Sequence, residues 1–342
     1  MKAVVVHEHG GLDKLSYEEV ETPSPAQDEV LVQVKACALN HLDLWVRKGV
    51  PGQRMPLPMI PGSDVSGVVK KTGALVRGLK AGDRVVIAPG ISCGRCIPCL
   101  TGRDNLCASY GMLGENRDGG CAEFVCIPAV NAIPIPGKLT FNEAAAIPLC
   151  FQTAWHMLAT RAQVRPGEDV VVHAAGSGVS TAGIQIAKLL GARVIATAGS
   201  DTKLKKAREI GADETINYRK LDFFVELKRL THKIGVDVIF DHIGADTWQA
   251  NIKSLKPGGR LVICGVTSGY EVATDLRYLF YRRLSLLGST MGTKGELLQI
   301  MNLVERGMLR PVIDSTYPLK EIEAAHARME SRKAFGKIVV NP

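Results

Sequence analysis

The chain has no run of eighteen apolar residues, so no segment is long enough to cross a bilayer as a helix. Its opening, Met1-Lys-Ala-Val-Val-Val-His-Glu8, carries charge and alternates where a secretion signal needs an apolar core. Both absences point to a cytoplasmic protein with no membrane partner. Aromatic residues make up only 5% of the 342 positions. The net charge of +8 comes largely from a basic run between Lys203 and Lys233, and Asp and Glu interrupt it. That pattern reads as a solvated face, part of it beside an anionic ligand, and not as a nucleic-acid surface. No internal repeat or low-complexity tract is found between residues 152 and 289.

What is present is an ordinary globular composition, 46% hydrophobic and 22% charged, at a length that suits about two domains. The second half is organised around residues 170–191. The β-branched run Val170 to Val172 leads into small residues, and Val179, Gly183, Ile186, Ala187 and Leu190 then recur at helical steps. This is strand, glycine-rich turn, helix. Gly176 and Gly178 allow close approach of a ligand. Ser177, Gly178 and Val179 open a helix whose free N–H groups suit a pyrophosphate. The third glycine of the usual dinucleotide fingerprint is missing, and Ser180 or Thr181 stands near its place. Strand segments are expected at 169–173, 193–197, 214–217, 236–241, 260–265 and 285–289, with helices between them and a Gly258-Gly259 turn before the fifth. Six strands in this arrangement imply a doubly wound parallel sheet of α/β class.

An NAD site usually carries a carboxylate about 20 residues past the glycines. Counting from Gly178 reaches Ala198 instead. Ser200 and Lys203 could hold a 2′-phosphate, with Tyr218 and Arg219 adding contacts, so NADP(H) is preferred over NAD(H). Asp201 opposes this choice unless its carboxylate is turned away.

Nine cysteines occur, and four of them, Cys93, Cys96, Cys99 and Cys107, form C-x2-C-x2-C-x7-C. This spacing lets one loop wrap a tetrahedral zinc ion, and four thiolates leave no position open for substrate. The expected ion is therefore structural, one per chain. A redox thiol cluster or an iron–sulfur centre is the alternative. Cys37, Cys121, Cys126 and Cys264 sit on apolar stretches and read as inert buried thiols.

Residues 1–90 read as short strands with proline and glycine turns. Pro61-Gly-Ser-Asp-Val-Ser-Gly-Val-Val69 and Val76-Arg-Gly-Leu-Lys-Ala-Gly-Asp-Arg-Val-Val86 resemble the N-terminal domain of the medium-chain dehydrogenase/reductases. The resemblance extends over nearly the whole chain. It implies a GroES-like β-barrel catalytic domain (1–151 and 290–342, zinc lobe 93–107) and a Rossmann dinucleotide-binding domain (152–289). Zinc alcohol dehydrogenases of that superfamily hold a second, catalytic zinc through Cys, His and Cys. At the matching positions this chain has Asn40, Ser63 and Cys150. Amides and un-ionised hydroxyls are poor zinc ligands. An unusual site built from Asp64, His41 and Cys150 stays open.

The same resemblance places Asn40 as a donor to substrate oxygen, and His41, a titratable neighbour, could relay a proton or touch the cofactor phosphates. The resemblance also pairs Asp43 with Lys337. Asn40, His41, Asp43, Ser63 and Asp64 form the candidate catalytic set. The loops bearing Val266 and Ser289 are expected beside the nicotinamide, and Lys337 is grouped with the cofactor contacts. An edge strand near Ser285 implies a homodimer or homotetramer. The implied activity is reduction of a quinone, enone or aldehyde by hydride transfer without catalytic zinc. A zinc alcohol dehydrogenase with variant ligands and a non-catalytic NADPH-binding protein are the alternatives.

Overall fold

The computed structural model describes residues 1–50, 52 and 55–342. The chain divides into two compact units. The first comprises Met1–Leu149, Thr293–Gly307 and Pro311–Pro342, and the second Cys150–Gly292 with Met308–Arg310.

The first unit opens with β1 (Lys2–Val5) paired antiparallel to β2 (Ser16–Glu19). Then follow β3 (Glu29–Ala38), α1 (His41–Lys48), β4 (Asp64–Thr72) and β5 (Arg84–Ile87). A cysteine-bearing excursion comes next, with β6 (Gly90–Ile91), α2 (Ile97–Leu100) and β7 (Gly111–Met112). The unit continues through β8 (Phe124–Pro128), β9 (Ala132–Pro134) and α3 (Phe141–Ala145). Strand β3 organises it, pairing with β4 along one edge and with β8 along the other. Val30, Val32 and Val34 point into the main core with Val65, Val69 and Val85. Ala36 and Ala38 enter a second cluster with Ala145 of α3. Shifts in register at Leu31/Val32 and Val34/Ala36 bend the strand. Simple alternation along β3 therefore breaks down, because both of its faces end up covered.

The second unit follows α4 (Pro148–Trp155). It runs β10 (Asp169–Val172), α5 (Gly178–Leu189), β11 (Arg193–Ala198), α6 (Asp201–Glu209), β12 (Glu214–Asn217), α7 (Phe223–Leu230), β13 (Val236–Asp241), α8 (Ala245–Ser254), β14 (Leu255–Ile263), α9 (Leu276–Arg282) and β15 (Ser285–Gly288). All the pairings are parallel, in the order β12-β11-β10-β13-β14-β15. The order reverses between β10 and β13, and ligands of such sheets bind at that switch, beyond the carboxyl ends of the strands. Val171, Ile195, Ile216, Ile239 and Leu261 fill one core layer.

One expectation changes here. Strand β14 starts at Leu255 and runs through Gly258-Gly259, absorbing the expected turn as a register shift opposite Val236–Val238. Helix and sheet also approach closely at Gly183, and Ser180 is fully buried with its Oγ bonded to His173 O. A Cβ on Gly183 would lie 3.2 Å from the Phe240 ring.

The chain then returns to the first unit with α10 (Lys294–Glu305), β16 (Ile313–Pro318), α11 (Ile322–Glu330) and β17 (Lys337–Asn341). Strand β16 was not foreseen. It pairs parallel to β17, which itself adds antiparallel to β3. Among the described residues no helix is long and apolar enough to cross a membrane.

Candidate functional site

In the first unit the site begins where β3 ends. Asn40 is the N-cap of α1, and its backbone N–H donates to Asp43 Oδ2 at 2.6 Å, closing a capping box. The other oxygen of Asp43 accepts from Gly62 N at 2.9 Å. Asp43 thus fastens the 40–43 turn to the 62–64 loop. Gly62 has φ 103°, and a Cβ there would fall 2.6 Å from Cys37 Sγ, so the loop admits only glycine.

The side chain of Asn40 belongs to a buried polar network. Its Nδ2 donates to Asp64 Oδ2 at 2.9 Å and to Ala38 O at 3.3 Å. Its Oδ1 accepts from Lys337 Nζ at 2.5 Å. Lys337 also donates to Asp64 Oδ2 at 2.9 Å, and Leu149 N donates to Asp64 Oδ1 at 2.8 Å. Lys337 is 4% exposed and Asp64 0%. This corrects the expected pairing: the carboxylate that Lys337 pairs with is Asp64, and both oxygens of Asp43 are taken by backbone N–H groups. Lys337 also lies in the first unit, where its ammonium is committed to this network. Beside it, Ser63 is fully buried and its Oγ has no hydrogen-bond partner among the described residues.

His41 is exposed and meets Trp45 edge-on, with ring centroids 5.7 Å apart. Crowding by surrounding protein, then the nearby cations of Arg332 and Lys48, hold its pKa below the ordinary histidine value. Cys150 is buried and belongs to the second unit.

The zinc lobe can be tested for fit. Sulfurs about 2.3 Å from a tetrahedral zinc stand about 3.8 Å from one another. The sulfurs of Cys93, Cys96, Cys99 and Cys107 all lie within 4.8 Å of one another, with Cys96–Cys99 at 3.4 Å and Cys93–Cys99 at 4.0 Å. Backbone N–H groups aim at them: Cys93 N and Ser109 N lie 3.5 and 3.4 Å from Cys107 Sγ. N–H groups of Arg95 and Cys96 lower the Cys93 pKa to about 6. Clustered sulfurs with N–H donors turned toward them suit a thiolate metal site. Among the described residues this is the one group of three or more Cys, His, Asp or Glu side chains with converging ligand atoms.

In the second unit the candidate cofactor residues line the carboxyl edge of the sheet. The turn after β10 holds Ala174 in the left-handed region at φ 48°. Ser177 caps α5 by accepting from Ser180 N. Gly178 and Val179 follow as the first helical residues, whose N–H groups have no acceptor within the helix. After β11, Ser200 caps α6, accepting from Lys203 N. Asp201 is turned onto Asn217 Nδ2 and Lys220 Nζ, each at 2.6 Å. Tyr218 and Arg219 lie against Gly199, where a Cβ would come 2.9 Å from the Tyr218 hydroxyl. Val266 is exposed after β14. Ser289 follows β15 with a buried Oγ that has no partner among the described residues. That hydroxyl and the open helix start fit a dinucleotide. Sequence reasoning missed His242, at the end of β13, whose Nε2 lies within hydrogen-bond distance of Ser177 and Ser180. A lone histidine after a strand carries no motif that could have revealed it.

One unit carries a parallel sheet with its switch at a glycine turn, and the other a mostly antiparallel sheet with a four-cysteine lobe. Residues 26–137 match the alcohol dehydrogenase GroES-like domain, and residues 178–306 match the zinc-binding dehydrogenase family. A quinone oxidoreductase of Rattus norvegicus is 31% identical over 99% of this chain and 97% of its own length. An alcohol dehydrogenase of Geobacillus stearothermophilus is 34% identical over 99% and 98%. A crystal structure of an NAD-dependent alcohol dehydrogenase is 51% identical, covers 100% of both chains and has a TM-score of 0.96. The chain belongs to the medium-chain dehydrogenase/reductase superfamily and is an oxidoreductase.

Burial raises the Asp43 pKa from 3.8 to about 6. The native state therefore holds a proton that the unfolded chain has already released. Stability from this group is full below pH 4 and is lost as pH rises to 6, by about 3 kcal/mol in all. Urea unfolding of wild type and Asp43→Asn at pH 4 and 7 should show their difference moving toward the variant by that order. A difference independent of pH would mean that Asp43 does not titrate in this window.

Proposed function

We propose that the chain transfers hydride from a nicotinamide cofactor to a conjugated or activated carbonyl (a quinone, enone or aldehyde), with one structural zinc in the cysteine lobe and none at the reacting centre. The observation that carries this reading is the buried Asn40–Asp64–Lys337 network, which ties up Asn40, the residue at the first of the family's catalytic ligand positions. Asn40 and Ser63 stand where zinc alcohol dehydrogenases place Cys and His, and neither group is a good ligand. The oxygens of Asp64 receive three donors, one of them an ammonium.

A bound nicotinamide supplies the hydride. The residues of this chain take up the charge that develops on the carbonyl oxygen. Lys337 polarises the Asn40 amide through its oxygen, which strengthens the amide N–H groups as donors. Of the two bonds from Nδ2, the 3.3 Å one to Ala38 O is the weaker and is the one a substrate oxygen would replace. His41, neutral at pH 7 and exposed, relays the proton. Asn40→Ala should slow single-turnover cofactor oxidation about a hundredfold while cofactor affinity stays within about twofold. Unchanged turnover would remove Asn40 from this role.

Metal analysis of the purified protein should return about one zinc per chain. Two per chain would favour an alcohol dehydrogenase with variant ligands.

For the cofactor, the reading is NADP(H). It rests on Ala198 in place of a carboxylate and on Asp201 being turned onto Asn217 and Lys220, which leaves Ser200, Tyr218 and Arg219 at the strand end. The 51%-identical NAD-dependent relative supports the opposite choice. kcat/KM should be at least about tenfold higher with NADPH than with NADH, a difference of one ion-pair contact. Parity would overturn the preference. Self-association into a homodimer or homotetramer is supported by the terminal position of β15 in its sheet and by exposed Leu276, Phe280 and Tyr281 on α9.

A further inference from the structure

We propose that His242 is a cofactor-positioning residue, an inference that rests on the dinucleotide reading above. It stands at the end of β13, across the topological switch from the turn that follows β10. Its Nε2 lies 2.9 Å from Ser180 Oγ and 3.1 Å from Ser177 Oγ.

The hydroxyl hydrogens decide which atom donates. Ser180 Oγ gives its single hydrogen to His173 O at 2.6 Å. Ser177 Oγ gives its hydrogen to Ser180 Oγ at 2.9 Å. The hydrogen in the imidazole contact then has to come from the ring, so Nε2 is protonated and donates. Ser180 is fully buried, and its oxygen is served by two donors, the Ser177 hydroxyl and the His242 imidazole.

Ser177 has a second role as the cap of α5, where its Oγ accepts from Ser180 N at 3.1 Å. An anion seated at the unpaired N–H groups of Gly178 and Val179 draws the Ser177 hydrogen toward itself. When that hydroxyl turns, Ser180 loses one of its donors. The imidazole N–H keeps the buried oxygen satisfied. Without it, the rotation that serves the anion strips a buried acceptor, which costs free energy. His242 thus makes the cap hydroxyl available to a pyrophosphate.

The same residue reaches the next loop. Thr267 donates to His242 O through both its backbone N–H and its hydroxyl, each at 3.3 Å. Ser268 N donates to Ile243 O at 2.8 Å. The 264–269 loop, which carries Val266, therefore hangs on the residue that braces the glycine turn. Occupation of the turn and the placing of that loop are linked through one side chain and its own carbonyl.

The test is dinucleotide binding to the full chain, followed by nicotinamide fluorescence with NADPH and NADH in parallel, together with thermal melting. His242→Phe keeps a ring and removes the donor, and it should weaken binding about tenfold with little change in melting temperature. His242→Gln, whose amide can donate from a similar reach, should restore binding to within about threefold. His242→Leu gives the same readout as the phenyl variant should that ring not be accommodated. Wild-type affinity in the donor-less variants overturns the proposal, and so does an equal loss in the Gln variant. A wild-type chain that binds neither NADPH nor NADH overturns the dinucleotide reading on which the proposal rests.

Discussion

A buried carboxylate cannot stay charged without partners, and Asp64 has three. They come from far apart in the chain: the turn after β3, the residue that precedes the second unit, and the last strand. Lys337 reaches Asp64 across 273 positions and Asn40 across 297. The C-terminal strand β17 therefore does more than extend a sheet. It delivers a cation to Asp64, and the amide of Asn40 takes its orientation from both. Asp43 completes the arrangement by clamping the Asn40 turn to the Gly62 loop, at the cost of a carboxyl whose ionisation burial opposes.

This network bears on the proposed chemistry because one of its members, Asn40, stands where the resemblance puts a catalytic metal ligand. In the proposed reaction an ammonium and an amide share the task that a Lewis acid otherwise performs. An ammonium fixed by two oxygens acts through its charge and through the amide it polarises, which suits a carbonyl that is already activated. The cysteine lobe is a separate matter. Its four sulfurs come from the single excursion between β6 and β7, with Cys99 on α2, and its backbone N–H groups stabilise thiolates locally.

The cofactor edge follows a similar logic on a smaller scale. The glycine turn is not self-sufficient: Ser177, Ser180 and His242 share hydrogens across the switch between β10 and β13. Serine at position 180 departs from the usual fingerprint, yet its hydroxyl bonds to His173 O and contacts His242, and Gly183 packs against Phe240.

Those details mark the boundary between what the order of residues determined and what folding decided. The strands at 214–217 and 236–241, the turn at 174–178 and the four-cysteine spacing were legible because each depends on periodicity or on neighbours within about twenty residues. So was the missing carboxylate at Ala198. The partner of Lys337, the existence of β16, the run of β14 through Gly258-Gly259 and the place of His242 were not. Each is set by which strands lie side by side, and that is a property of the sheet order. Two carboxylates could have accepted from the same lysine. Only the tertiary structure, by giving both Asp43 oxygens to backbone N–H groups, assigned it to Asp64.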